Sequence, residues 1–178
     1  MGYMGADKLI GVSSSWAHNG KWMNAYVGQL ITAINPYKEV LLEGSKKTLD
    51  DCSGFLKDKK WNDTEGICSP QNVNDIYEVL RDISDVSADL FSRMSVSRDV
   101  QKYLDGGDFE NIFRCYVELY DFTVKEIENY ETQGKNRNEH NFAGAVAHMY
   151  GALQNMNDSY GLVTRDVSGN EKSLAVPK

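Results

Sequence analysis

The residues best suited to chemistry in this chain are carboxylates that recur at helical spacing. Asp75, Glu78, Asp82, Asp85 and Asp89 step by three and four, so on a helix they stack along one face. Oxygen ligands of this kind suit a hard cation such as Mg²⁺, provided that carboxylates on a second helix face them. Glu118 and Asp121 form another acidic pair at the same spacing. A metal site built from Asp75, Glu78, Asp82, Glu118 and Asp121 is therefore one chemical reading. The other is a solvated helix face. At about 100° per residue, the centre of the ladder lies roughly 120° from the centre of the apolar face formed by Ile76, Leu80, Ile83 and Leu90. Asp75 and Asp82 fall nearest its flank and Asp85 points well away, so a solvated face is the expectation.

The two acidic pairs distantly resemble the ExxE and ExxD motifs of all-α nucleotide pyrophosphatases. They depart from that pattern in opening on an aspartate, Asp75-x-x-Glu78, and in the 40 residues between Glu78 and Glu118, which exceed its usual spacing. The chain is not assigned to that family. The remaining candidates are weaker. His18, His140 and His148 are the histidines. On one helix His140 and His148 stand about 12 Å apart in rise, too far to share a metal ion. The sequence has neither the four-apart pair of a helical zinc site nor the Glu-x-x-His of di-iron bundles, and these histidines read as surface residues. Cys52 and Cys115 fall on apolar stripes and read as small core residues. Cys68 precedes the helix start Ser69-Pro70, where a thiolate gains from the helix dipole, but no histidine is placed beside it. Gly106-Gly107-Asp108 lacks the lysine and the preceding strand of a phosphate loop. No cofactor is expected.

Bulk composition narrows the possibilities further. A chain of 178 residues fits one domain. With 41% hydrophobic and 25% charged residues it can fill a core. Its 26 acids against 19 bases leave a net charge of −7, which disfavours nucleic acid and anionic lipid. The basic clusters Lys46-Lys47 and Lys57-Lys59-Lys60 are short and lie near acids. No apolar run approaches the roughly 20 residues that cross a bilayer. Met1 to Val12 lacks the basic start and apolar core of a secretory signal. Three cysteines without short paired spacing fit reduced thiols, so a cytoplasmic location is expected. Asn62-Asp63-Thr64 and Asn157-Asp158-Ser159 match the glycosylation triplet but read as turn chemistry.

The elements that must position these residues are helices. Ile76, Val79, Leu80, Ile83, Leu90 and Met94 fall on one helical face; so do Ile112, Cys115, Tyr116, Leu119 and Ile127, and again Phe142, Val146, Met149, Leu153, Met156 and Tyr160. An earlier stripe, Met23, Val27, Leu30, Ile34, Tyr37 and Leu41, keeps phase through Pro36. Either one helix kinks there, or Asn35 caps a second helix with Pro36 at its first position. Gly44 reads as a stop. Thr48 with Asp51 reads as a near capping box that opens a segment ending near Trp61. Ser69-Pro70 opens a helix to about Met94. Ser95 or Ser97 opens a short helix to Leu104, and Asp108 caps one that runs to about Thr132 before Gly134. Asn138 opens the last, to about Asp158. Between Phe109 and Tyr130 only Arg114, Glu118, Asp121, Lys125 and Glu128 mark a wet edge, which predicts a central helix. After Gly161 a weak alternation around Ser168-Gly169-Asn170 predicts a hairpin or a loose tail.

The expected fold is an all-α single-domain bundle of five or six helices. An N-terminal arm covers residues 1–20, the bundle 21–160 and a C-terminal tail or small hairpin 161–178. In the last helix Ala143, Gly144, Ala147, Gly151 and Ala152 are small, and small residues let another backbone come close. Gly144, Ala147, His148 and Gly151 are therefore the expected contact surface, either inside the bundle or for a partner protein or second copy. The leading functional expectation is an acidic helical protein that acts by protein-protein interaction, as an accessory, inhibitor, adaptor or assembly subunit. The alternative is a Mg²⁺-dependent all-α hydrolase.

Overall fold

Stripes that keep a 3.6-residue phase are buried by packing helix on helix, and the computed structural model shows that arrangement. It describes residues 23–57, 70–96, 108–132 and 139–168, with side chains over 25–57, 75, 77–96, 109–125 and 144–162. A π-helical turn, Met23–Val27, runs without a break into α1 (Gly28–Ile34), which tightens into a 3-10 helix over Asn35–Val40. Four longer helices follow: α2 (Glu43–Leu56), α3 (Pro70–Ser95), α4 (Asp108–Thr132) and α5 (Glu139–Ser168). Among the described residues only Leu41, Leu42, Lys57 and Val96 lie outside helices, and none forms a strand.

The most extensive pairing joins α3 and α5. On its other side α3 packs against α2, and it also meets α1 and the 3-10 helix, while α4 packs on α5, α1 and the π-helical turn. Both α3 and α4 thus meet several neighbours. On α3 the small polar residues Ser84 and Ser87 are buried. Their hydroxyls donate to the carbonyls of Leu80 and Ile83 at 2.6 and 2.7 Å, so they need no outside partner and pack as small residues. One core gathers Leu30 and Ile34 of α1, Leu49 of α2, Leu80 and Leu90 of α3, Leu119 of α4 and Leu153 of α5.

Local chemistry explains three departures from the sequence expectations. Pro36 lacks an N–H and so cannot continue the α pattern; the chain answers by tightening, not by starting anew. Asn35 keeps helical dihedrals and its own N–H reaches the Ile31 carbonyl, so it caps nothing. At α2, Gly44 lies in the first turn and Thr48 lies well inside, its hydroxyl donating back to the Gly44 carbonyl at 2.9 Å. The signal missed there is Asp89 of α3. Its carboxylate accepts the Leu42 N–H at 3.1 Å, the service that the acidic partner of a capping box performs within its own helix. At the other end, α5 continues through Gly161 to Ser168, so the expected break after Gly161 does not occur and Leu162 to Ser168 form no hairpin arm. The arm over 1–20, the segment 97–104, Ser69, Gly134, Asn138 and residues 169–178 fall outside the described residues.

Tyr116 ties three helices together inside the core. It is fully buried, and its hydroxyl donates to Ser84 of α3 and lies 3.4 Å from the Met149 carbonyl of α5. The wet edge of α4 is where the spacing puts it: Arg114, Glu118, Asp121 and Lys125 are exposed. Leu119→Ala should therefore cost on the order of 2–5 kcal/mol in urea melts. Glu118→Ala, one residue away, should cost less than about 0.5 kcal/mol. Equal costs would show that the facing of α4 is wrong.

Candidate functional site

The outer face of α3 carries the acidic ladder, and the helices on either side determine what each carboxylate can do. Glu78 and Asp85 are exposed, Asp75, Asp82 and Asp89 half-buried. Toward α2 the face dips into a depression of about 280 Å³, lined by Asp51, Cys52, Phe55, Asp75, Glu78, Val79 and Asp82. Asp82 bears the consequence. Burial, with the neighbouring charges of Asp85, Glu78 and Asp51, raises its carboxyl above the ordinary carboxylate value. Cys52 forms part of the wall. Burial and the nearby Asp82 and Asp51 push its thiol up to about 12, so it stays protonated and is no nucleophile. Cys115 is likewise buried, and burial again raises its thiol.

The second-helix carboxylate that joins the ladder is Asp51, not Glu118 or Asp121. Those two are exposed on α4, which packs against α5 and α1, and neither lines the depression. Among the described residues no group of three or more His, Cys, Asp or Glu side chains is disposed to hold a metal ion. In the sequence Asp51 reads as the acidic partner of Thr48 in a near capping box; the structure places it inside α2, beside Cys52, where it lines the depression. Lys47 Nζ lies 3.6 Å from its carboxylate across one turn, with both side chains largely exposed.

Toward α5 the same face meets the small residues. Arg81 lies beside Gly144, where an added Cβ would stand 3.4 Å from its guanidinium. One turn on, His148 Nε2 and Asp85 Oδ1 are 2.7 Å apart. Both contacts advance together, so α3 and α5 run parallel. Beyond them a groove of about 290 Å³ opens, lined by Asp85, Ala88, Ala147, His148, Gly151, Ala152 and Asn155. Of the four residues expected to form a contact surface, Ala147, His148 and Gly151 thus share one groove, and Gly144 lies against α3. Among the described residues, a Cβ added at Gly151 would meet nothing within 4 Å. Spacing alone had no means of pairing His148 with Asp85, since that depends on the register between two helices. His18 and Cys68, and the side chain of His140, fall outside the described part of the molecule.

Asp89 has a third role, as the cap of α2, with Arg93 Nε 3.5 Å from its other oxygen. The ladder is therefore not one cluster but a row in which position decides function. No family model, no curated protein and no solved structure matches this chain.

Two outcomes follow from this geometry. Asp82 binds its proton more tightly in the folded state than in the unfolded, so its ionisation opposes folding at neutral pH. Asp82→Asn should raise the melting temperature at pH 7, and the gain should fade as pH falls through the carboxylate range and the wild-type group takes its proton. A gain that persists unchanged at acid pH would assign the effect to packing. Gly151→Ala should stabilise the protein by about 0.5–1 kcal/mol in urea melts, because alanine suits a helix interior better and the space beside it is free. A loss would mean that the site is closed.

Proposed function

We propose that this chain is a small acidic binding protein of the cytoplasm, acting through protein-protein contact as an accessory, inhibitor, adaptor or assembly subunit. Its binding element is the outer face of α3. The observation that carries this reading is the crowding of Glu78, Asp82, Asp85 and Asp51 along one accessible strip, with Asp82 held above the ordinary carboxylate value by burial and by its neighbours. Like charges held together cost the free protein stability, and a basic partner surface would relieve that cost on binding. Charge complementarity of this kind also speeds encounter and selects partners. The partner is a protein, or a second copy meeting the strip with basic residues of its own. The net charge of −7 weighs against nucleic acid and membrane surfaces.

The test compares the wild type with Glu78→Gln/Asp82→Asn/Asp85→Asn as bait in host extract. A protein retained by the wild type and lost from the triple variant supports the reading; the same capture by both overturns it. The alternative, a Mg²⁺-dependent hydrolase, makes the opposite prediction for metal. A ligand that binds only the folded state raises its stability. Millimolar Mg²⁺, Mn²⁺ or Zn²⁺ should leave the melting temperature unchanged. A rise of several degrees, abolished by Asp82→Asn or Glu118→Gln, would favour the enzyme.

A further inference from the structure

We propose that α2 is a hinged strap: it lifts off α3 about Leu42 while α1, α3, α4 and α5 stay packed, and the carboxylate of Asp89 is the latch that holds it down. The device stands on its own geometry and does not depend on what the α3 face binds.

The ties between elements divide the molecule in this way. Tyr116 of α4 reaches Ser84 of α3 and the Met149 carbonyl of α5. The Tyr160 hydroxyl of α5 donates to Glu110 of α4 at 3.0 Å. Phe109 of α4 packs on Phe91 of α3 and on Tyr37 of the 3-10 helix, and Phe122 of α4 on Tyr26. None of these ties passes through α2. That helix packs on α3 and α1, and its buried residues are Leu49, Cys52 and Leu56. Two polar contacts reach it from other elements. Lys38 Nζ of the 3-10 helix lies 2.6 Å from Asp50 Oδ1, but the aspartate is largely exposed and such a pair holds little. The other is the Leu42 N–H, accepted by Asp89 at 3.1 Å. The Asp89 side chain is 12% exposed, so this contact is shielded from water as the first is not. Since α2 has no side-chain cap of its own, a carboxylate from another helix completes its first turn.

The junction before α2 suits a hinge. Leu41 is buried and Leu42, next to it, is exposed. Both have extended dihedrals, between a 3-10 helix that ends at Val40 and an α-helix that begins at Glu43. Hinges are commonly a few residues of this kind, at the end of an element, that absorb a change in φ and ψ. Charge acts to open it. Docking brings Asp51 to the wall of the depression that Glu78 and Asp82 line from α3, and like charges oppose that approach. The raised Asp82 carboxyl registers the opposition, with burial as its first cause and the charges of Asp85, Glu78 and Asp51 after it. Lifting α2 withdraws Asp51, Cys52 and Phe55 and abolishes the depression, so the two states of the strap present different surfaces.

Native-state hydrogen exchange of the full chain, read by mass spectrometry at urea concentrations well below the unfolding midpoint, tests the strap. Alkylation of Cys52, located by peptide mapping, reads the same opening, because a thiol 1% exposed reacts only once α2 lifts. In the wild type the α2 amides should exchange at least about tenfold faster than the slowest α3 amides and depend little on urea. Leu119→Ala weakens the core equally in both states of the strap. It should speed α3 exchange at least about tenfold, yet leave α2 exchange and Cys52 alkylation within about twofold of wild type. Tyr116→Phe poses the same question with a milder change, should Leu119→Ala fail to fold. Asp89→Ala should speed both α2 readings about tenfold, as for a lost cap. Asp89→Asn, whose amide oxygen can still accept the Leu42 N–H, should stay within about threefold of wild type. If the core variants speed α2 as much as α3, then α2 opens only with the whole molecule and the strap is overturned. If Asp89→Ala leaves α2 unchanged, Asp89 is no latch and the proposal falls.

Discussion

The close approach of α3 and α5 is the constraint on which the rest of this molecule depends. Small residues let helices pack closely, and each of these two buries some: Ser84 and Ser87 on α3, Ala145 and Ala152 on α5. Tyr116 then fixes their relative position. Its ring fills core space and its hydroxyl contacts groups on both helices. Burial raises its ionisation well above the ordinary tyrosine value, so it stays a neutral donor, suited to a dry interior. With α3 held in this way, its opposite flank is available to α2, and its outer face is left to solvent.

Position on one helix separates four acids of similar sequence context. Asp89 reaches the start of α2 and becomes a structural cap. Asp85 finds His148. Asp82, half-buried, is left among like charges, while Glu78 points outward. The contact between Asp85 and His148, exposed on both sides, adds little to stability. Its effect is geometric: it marks the register of α3 against α5 and forms one lip of the groove. Aromatic residues set the remaining faces. Phe109 meets Tyr37 and Phe91, the latter edge-on at 5.2 Å, which anchors the start of α4 beside the 3-10 helix. Tyr26 stacks on Phe122 and holds the π-helical turn against α4.

What sequence makes legible here is whatever one helix decides by itself. The α3 span follows from Pro70 and from a stripe that lasts to Met94, and the wet edge of α4 follows from Arg114, Glu118, Asp121 and Lys125. What depends on two helices is hidden. Ser84 and Ser87 look polar until their hydroxyls are seen to turn back on their own carbonyls. Thr48 mimics a cap because the true partner of the α2 start is 47 positions away. Asp51 enters the acidic depression only because α2 lies along α3. The run after Gly161 misleads for another reason: a glycine weakens a helix by only about 1 kcal/mol, and it does not end one. The candidate site follows the same division. The residues of the groove were marked by their size, whereas the pairing of His148 with Asp85 depends on a register that no single stretch contains.

The cap that Asp89 supplies to α2 also bears on the order of events in folding. At 14 residues, α2 is near the length at which an isolated helix is marginal in water. It contains Gly44, Gly54, Ser45, Ser53 and Thr48, all weak helix formers. Its N-cap position, Leu42, makes no side-chain capping bond of its own. A segment of this kind has little reason to nucleate alone; the carboxylate that completes its first turn arrives only once α3 exists. The contact joins residues 47 positions apart, which makes α2 a dependent part of the cooperative unit. The acidic depression, lined from both helices, therefore exists only where α2 has docked on α3.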